Sequence, residues 1–231
     1  MLDETEQAKW GGRDGDLQQE YITVAGGLKL AVPTGRRPMA QHAIREEVYG
    51  VLAFVGLIWC VFIVGHVLPL RLESYGVTPR TAAGLIGIAA APFLHANLAH
   101  LVANTIPLTV LLLLLAGSRA SSWQIVLAIV FLGGVLLWLF GRPATHIGAS
   151  GLIYGLIAFL LLSGVWEGRI VPLMISVVVG ILYGGALFSG ILPNSESHVS
   201  WEGHLFGAIA GAIVAYFLTK RQSKVERIAA G

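Results

Sequence analysis

The sequence predicts an all-α membrane protein, a bundle of six transmembrane helices behind a polar N-terminal tail, and three observations carry that reading. Hydrophobic residues make up 55% of the 231-residue chain and charged ones only 12%, against roughly 25% charged in a soluble domain. The apolar residues are gathered in runs long enough to cross a hydrocarbon core, which takes about 20 residues of helix. The 29 glycines, many of them inside those runs, let helix backbones approach closely where lipid supplies no hydrophobic drive for association. A net charge of +2, small and scattered, excludes the basic patch of a nucleic-acid binder. Cys60, the one cysteine, lies in an apolar run, can form no internal disulfide and reads as a packing residue.

Residues 1–47 read as a polar cytoplasmic tail. Asp3, Glu4, Glu6, Asp14, Asp16 and Glu20 stand among paired glycines, followed by a basic patch at Arg36 and Arg37, and no secretory signal is expected in so polar a segment. Within it, Tyr21-Ile22-Thr23-Val24 alternates as a strand would. Val48 to Leu70 carries no Asp, Glu, Lys or Arg over 23 residues and is the first span. Thr81 to Ser118 is uncharged for 38 residues, too long for one span and awkward for two, and Pro92 divides it. Ala82 to Leu94 then reads as an interfacial or re-entrant segment, and Leu98 to Gly117 as the second span. Ser122 to Gly141 is the third, Gly148 to Val165 a short fourth, Ile170 to Leu192 the fifth and Gly203 to Thr219 the sixth. Residues 48–219 thus form the six-helix domain and 220–231 a basic cytoplasmic tail.

Six spans put both termini on one side, and the distribution of basic residues says which. Arg36, Arg37, Arg45, Arg119, Arg169, Lys220, Arg221, Lys224 and Arg227 fall on the terminal side, against Arg71, Arg80 and Arg142 on the other. The positive-inside rule makes the termini cytoplasmic, in the plasma (inner) membrane. The second, fourth and sixth spans then run from outside to inside, and His100, Asn104, Ser150 and His204 all occupy their outer ends.

Polar groups in hydrocarbon are costly unless they serve a purpose. A serine hydroxyl is a weak nucleophile until a base takes its proton, a role that histidine suits near neutral pH. Gly203, Gly207 and Gly211 on the sixth span and Gly151 with Gly155 on the fourth form G-x-x-x-G units that permit the two helices to meet, bringing Ser150 towards His204. Tyr154, four residues after Ser150, shares its face and is placed to support the His204 imidazole. Glu202, the nearest carboxylate, faces away from His204, so the pair reads as a dyad. His100 and Asn104, at i and i+4, present N–H groups together, and the Ser150 amide at a helix N-terminus adds a third donor for a developing oxyanion. His95, five residues from His100, is expected on another face, holding the loop.

The set His95-x4-His100-x3-Asn104, Gly148-x-Ser150-Gly151-x-x-Tyr154 and His204-x-x-Gly207-x-x-x-Gly211, in that order and on separate helices, closely resembles the rhomboid intramembrane serine proteases over residues 48–219. The resemblance implies a rhomboid-like six-helix core with Ser150 as nucleophile, His204 as general base, and an oxyanion hole from His100, Asn104 and the Ser150 amide. It also implies an outward-opening, water-filled cavity, with the fifth span and the following loop gating lateral entry of a substrate helix. Membrane proteins with a transmembrane segment are the implied partners, with no cofactor. Many rhomboids carry a Trp-Arg pair in the first outer loop; none of the six tryptophans here is followed by Arg.

Other readings are weaker. Ser150 alone would be a packing serine bonded to its own backbone, and His100 with Asn104 alone would be interhelical glue. His95, His100, His146, His198 and His204 invite a metal site, but H-E-x-x-H is absent and no carboxylate lies inside a span. The serine motif lacks the second glycine of a hydrolase elbow, Leu152 standing there. A noncatalytic rhomboid-like protein that binds transmembrane segments is the main alternative, although such proteins typically lose Ser or His. A transporter, marked by charged or broken half-helices in two repeats, has no such cue here.

Overall fold

A computed structural model describes residues 20–24, 28–32, 44–68, 70–119, 122–193 and 200–230, with side chains described between 44 and 220. Asp3, Glu4, Glu6, Asp14, Asp16, Arg36, Arg37 and His198 lie outside the described residues. The chain divides into two units, 1–43 and 44–231. In the first, β1 (Glu20–Val24) pairs antiparallel with β2 (Leu28–Val32), Glu20 opposite Val32 and Val24 opposite Leu28. The alternating Tyr21–Val24 piece is therefore a strand, and its partner is a segment for which the sequence pattern predicts none.

Among its described residues the second unit contains six helices long and apolar enough to span a membrane, in a rhomboid-like helical bundle. They are α1 (Ile44–Val67), α3 (Leu98–Ser118), α4 (Ser122–Phe140), α5 (Ser150–Glu167), α6 (Ile170–Ile191) and α7 (Trp201–Ala230), with the one-turn α2 (Gly87–Ala90) before α3. Two boundaries differ from expectation for one reason: a helix does not stop where hydrophobicity stops. α1 begins at Ile44, so Arg45, Glu46 and Glu47 lie in its first turn, where acidic groups favour the helix dipole and Glu47 accepts a hydrogen bond from Ser122 Oγ of α4. α7 runs through the basic residues expected to form a tail, as far as Ala230. A third shift is local. α5 starts at Ser150 because Gly148 has φ +107°, outside helical space, and ends where Gly168 takes a left-handed cap at φ +63°.

α5 is the axis of the bundle, packed against α3, α4, α6 and α7. Leu152, Leu156, Ile157, Phe159 and Leu160, on several of its faces, are all buried, as befits a helix surrounded by others. Its far end is tied by charge: Glu167 takes Arg119 at 2.5 Å and Arg169 at 2.7 Å. The segment divided by Pro92 is a chain of short helical turns, Ala83–Leu85, α2 and Ala91–Phe93, as expected of an interfacial piece. In place of a Trp-Arg pair, protein contacts fasten this loop. Arg80 Nη1 donates to the carbonyls of Leu139 and Gly141 at 3.1 and 2.9 Å, and Trp138 Nε1 to Thr81 O at 2.8 Å.

α5 and α7 meet backbone to backbone. A Cβ added at Gly207 would lie 2.0 Å from the Gly151 carbonyl oxygen, and one at Gly211 1.9 Å from that of Gly155. A Cβ added at Gly151 or Gly155 would in turn lie 3.2 or 2.9 Å from the carbonyl oxygen of Gly203 or Gly207, so the glycine faces read from the sequence interlock. Gly211→Ala is expected to cost roughly 1–3 kcal/mol by overpacking. Gly184→Ala, with nothing within 4 Å of the added Cβ, is expected to be neutral or to gain up to about 1 kcal/mol of helix propensity. Thermal unfolding in detergent micelles, followed by circular dichroism, compares the two.

Candidate active site

Six consecutive spans place the starts of α3, α5 and α7 at one end of the bundle, and there the polar residues gather. Ser150 is the first residue of α5, preceded by Ala149 at φ −77°, ψ −1° without a side-chain cap. The first-turn amides of a helix have no intrahelical acceptor, so the Ser150 N–H is available to a ligand. Gly148 holds the preceding turn in place by donating to Ala91 O at 2.9 Å. A Cβ built on Gly148 would lie 2.7 Å from His100 Nε2 and 3.8 Å from Ser150 Oγ. The bare backbone of Gly148 is thus what lets the His100 ring sit beside the serine.

One turn into α5, the Tyr154 ring stacks on His204 of α7, centroids 4.0 Å apart and planes inclined by 3°. Its phenol donates to Ala186 O of α6 at 3.0 Å. His204, buried, bonds through Nδ1 to Gly190 O at 2.9 Å. A carbonyl only accepts, so Nδ1 carries the proton and Nε2 keeps a free lone pair. Gly190 is in the last turn of α6, where carbonyls lack helical partners, and His204 satisfies one of them. A Cβ there would meet Tyr154 Oη at 1.7 Å. No hydrogen bond runs between Ser150 Oγ and His204 among the described residues; such contacts are often looser in unliganded sites.

On α3, His100 N donates to the Asn97 side chain, the helix cap, at 2.8 Å. Asn104, buried, spends one Nδ2 hydrogen on His100 O at 2.8 Å, which leaves its second N–H. His95 departs from expectation. Asn97 caps the helix after it, so it does not follow helical spacing; its ring is buried edge-on against His100, centroids 5.0 Å apart. Burial, and secondarily His100, lowers the His95 pKa to about 4, so it packs there uncharged. Glu202 is bound to Arg142 Nε at 3.1 Å, and among the described residues no hydrogen bond or ion pair joins it to His204. Among the described residues no three His, Cys, Asp or Glu side chains are grouped to hold a metal ion.

The sequence reading missed Gly190 and Ala186, whose contribution is a backbone oxygen and leaves no residue signature. It also missed Ser200, although a serine three residues before Gly203, at the head of an apolar run, is a helix-start signal. Gly203 N donates to Ser200 Oγ at 3.1 Å. Gly148→Ala is expected to lower stability by about 1–3 kcal/mol, through its positive φ and the clash with His100. Gly168→Ala, also at positive φ but with nothing within 4 Å, is expected to cost less, roughly 1 kcal/mol. Denaturation midpoints of the two variants give the comparison.

The Rhomboid domain family model matches residues 82–221. An uncharacterized protein of Mycobacterium tuberculosis and one of Mycobacterium bovis are each 40% identical over 219 residues, covering 88% of this chain and 90% of the relative. A Mycobacterium leprae protein, also uncharacterized, is 39% identical over 214 residues, covering 87% and 82%. The helical bundle, the polar residues gathered at one end of it and the match across more than half of its length agree: the chain belongs to the rhomboid family.

Proposed function

We propose that this rhomboid-family membrane protein is an intramembrane serine endopeptidase working through a Ser150–His204 dyad. The observation that supports it best is the state of His204: held flat by Tyr154 and bonded through Nδ1, it keeps Nε2 as a free base one helix away from Ser150. In the proposed reaction Ser150 Oγ attacks the scissile carbonyl carbon while His204 Nε2 takes the hydroxyl proton. The oxyanion is met by the Ser150 amide, His100 and the free N–H of Asn104. The imidazolium then protonates the leaving amine, and water, deprotonated by His204, hydrolyses the acyl-enzyme.

The charge distribution supports an orientation with both termini cytoplasmic and the site towards the outer face, in the plasma (inner) membrane. A transmembrane segment reaching Ser150 there would offer a peptide bond from its outer part. Helical peptide bonds are shielded, so such a substrate must unwind, and Gly or Pro lowers that cost by about 1 or 3 kcal/mol.

Fluorophosphonate is expected to label the wild-type protein and not Ser150→Ala, and His204→Ala to abolish turnover of a model substrate. His100→Ala and Asn104→Ala are expected to lower turnover roughly 10- to 1000-fold. An unlabelled wild type without turnover would replace this reading with a noncatalytic protein that binds transmembrane segments, and wild-type turnover in Ser150→Ala would overturn Ser150 as the nucleophile.

Substrates are expected to be single-pass proteins cut near their outer boundary, after a small residue such as Ala with Gly or Pro nearby. Sequencing the new termini of cleaved model proteins checks this; cuts in the cytoplasmic half would overturn the orientation.

A further inference from the structure

His146 and Ser200 are used by nothing in the chemistry above, yet they occupy matching positions. His146 stands four residues before Ser150, and Ser200 four residues before His204. The two side chains meet, His146 Nδ1 and Ser200 Oγ being 2.6 Å apart. The other ring nitrogen, Nε2, lies 3.2 Å from Arg142 O. Since a carbonyl only accepts, Nε2 carries the hydrogen, Nδ1 is the acceptor, and the Ser200 hydroxyl donates to it. Ser200 Oγ accepts the Gly203 amide in return, so its donor and an acceptor site are both engaged.

The backbone of His146 is held as firmly as its ring. Its N–H and C=O exchange hydrogen bonds with Val77, both at 2.9 Å, in an isolated antiparallel bridge. One buried residue therefore joins three segments: the loop after α1, the turn that delivers Ser150, and the first turn of α7 that delivers His204. A second link runs parallel to it, from Arg142 Nε to Glu202 at 3.1 Å. The groups facing the His146 ring are thus Ser200, Arg142 and Glu202. Burial, opposed by the Arg142 carbonyl and Glu202, keeps its pKa below the ordinary histidine value, consistent with the neutral acceptor that the geometry requires.

We propose that His146 and Ser200 are positioning residues that clamp the turn before Ser150 to the start of α7 and thereby set the approach of Ser150 to His204. This rests on the dyad reading for its effect on turnover, and on the geometry alone for its effect on the loop. The interlocked glycines fix α5 against α7 further along the helices; the clamp fixes the two chain segments that lead into them. A misplacement of about 1 Å at such a site can cost on the order of 100-fold in rate.

The test uses the full chain in detergent, with hydrogen exchange across 141–150 and 200–204 and single-turnover cleavage of a model substrate. His146→Leu removes both ring bonds; His146→Asn restores an acceptor near the Nδ1 position. His146→Leu is expected to speed exchange in both segments at least 10-fold and to lower kcat about 10- to 100-fold with KM little changed. His146→Asn is expected to recover most of both. Ser200→Ala combined with His146→Leu is expected to be no slower than His146→Leu alone, because the pair acts as one unit. Unchanged exchange in His146→Leu, faster exchange without loss of kcat, or equal losses in the Asn and Leu variants would each overturn the clamp. Should His146→Leu fail to fold, Ser200→Ala read by the same two measurements decides in its place. A wild type unlabelled by fluorophosphonate would instead overturn the dyad, and exchange would still judge the clamp.

Discussion

The contact between the backbones of α5 and α7 is the constraint on which the rest of the structure depends. In lipid there is no hydrophobic gain in burying one apolar helix against another, so association rests on close packing and polar links. Here carbonyl oxygens of α5 nestle against glycines of α7, at Gly151 with Gly207 and at Gly155 with Gly211. That approach leaves no room for a side chain between the helices. It puts the first turns of both at one level, so that Tyr154 and His204 stack. α3, α4 and α6 pack against this pair, α4 reaching it where Gly133 comes against Gly207, and α1 packs on α3.

Much of the architecture was legible in the sequence because hydrophobic runs and glycine spacing are the determinants of a membrane bundle. All six spans stand within a few residues of the runs that foretold them. The boundaries that moved did so through local hydrogen bonding. Ser200 accepts the Gly203 amide and α7 starts at Trp201, two residues ahead of Gly203, and Gly148 delays α5 to Ser150. Charged residues joined α1 and α7 because the edge of the hydrocarbon does not end a helix. In the site, the meeting of Tyr154 with His204 followed from i, i+4 spacing on a helix already paired by glycine. The edge-on contact of His95 with His100 did not, because helical spacing was applied to a residue that lies before the Asn97 cap.

The two ends of the bundle are held by different chemistry. Away from the site, Arg119, Glu167 and Arg169 form a charged cluster that joins the segment after α3 to the α5–α6 turn. Around the site the ties are mostly hydrogen bonds to backbone carbonyls, from Arg80, Trp138, Tyr154 and His204. Carbonyl acceptors carry no net charge, so they orient the neutral donors Trp138, Tyr154 and His204 without adding a charge, and an ion pair at this end joins Arg142 to Glu202.

The bond from His204 to Gly190 has an evolutionary side. The acceptor that holds the imidazole in one tautomer is a main-chain oxygen, and no point mutation in α6 can delete it. The sequence of α6 can drift while this partner persists, provided that position 190 stays small enough for Tyr154. An alanine scan of α6 would therefore pass over the group that orients the histidine, and would register at this position only a crowded ring. A carboxylate in the same role would be exposed to loss by a single base change. The orienting partner of His204 is inherited with the path of the helix rather than with any one of its side chains.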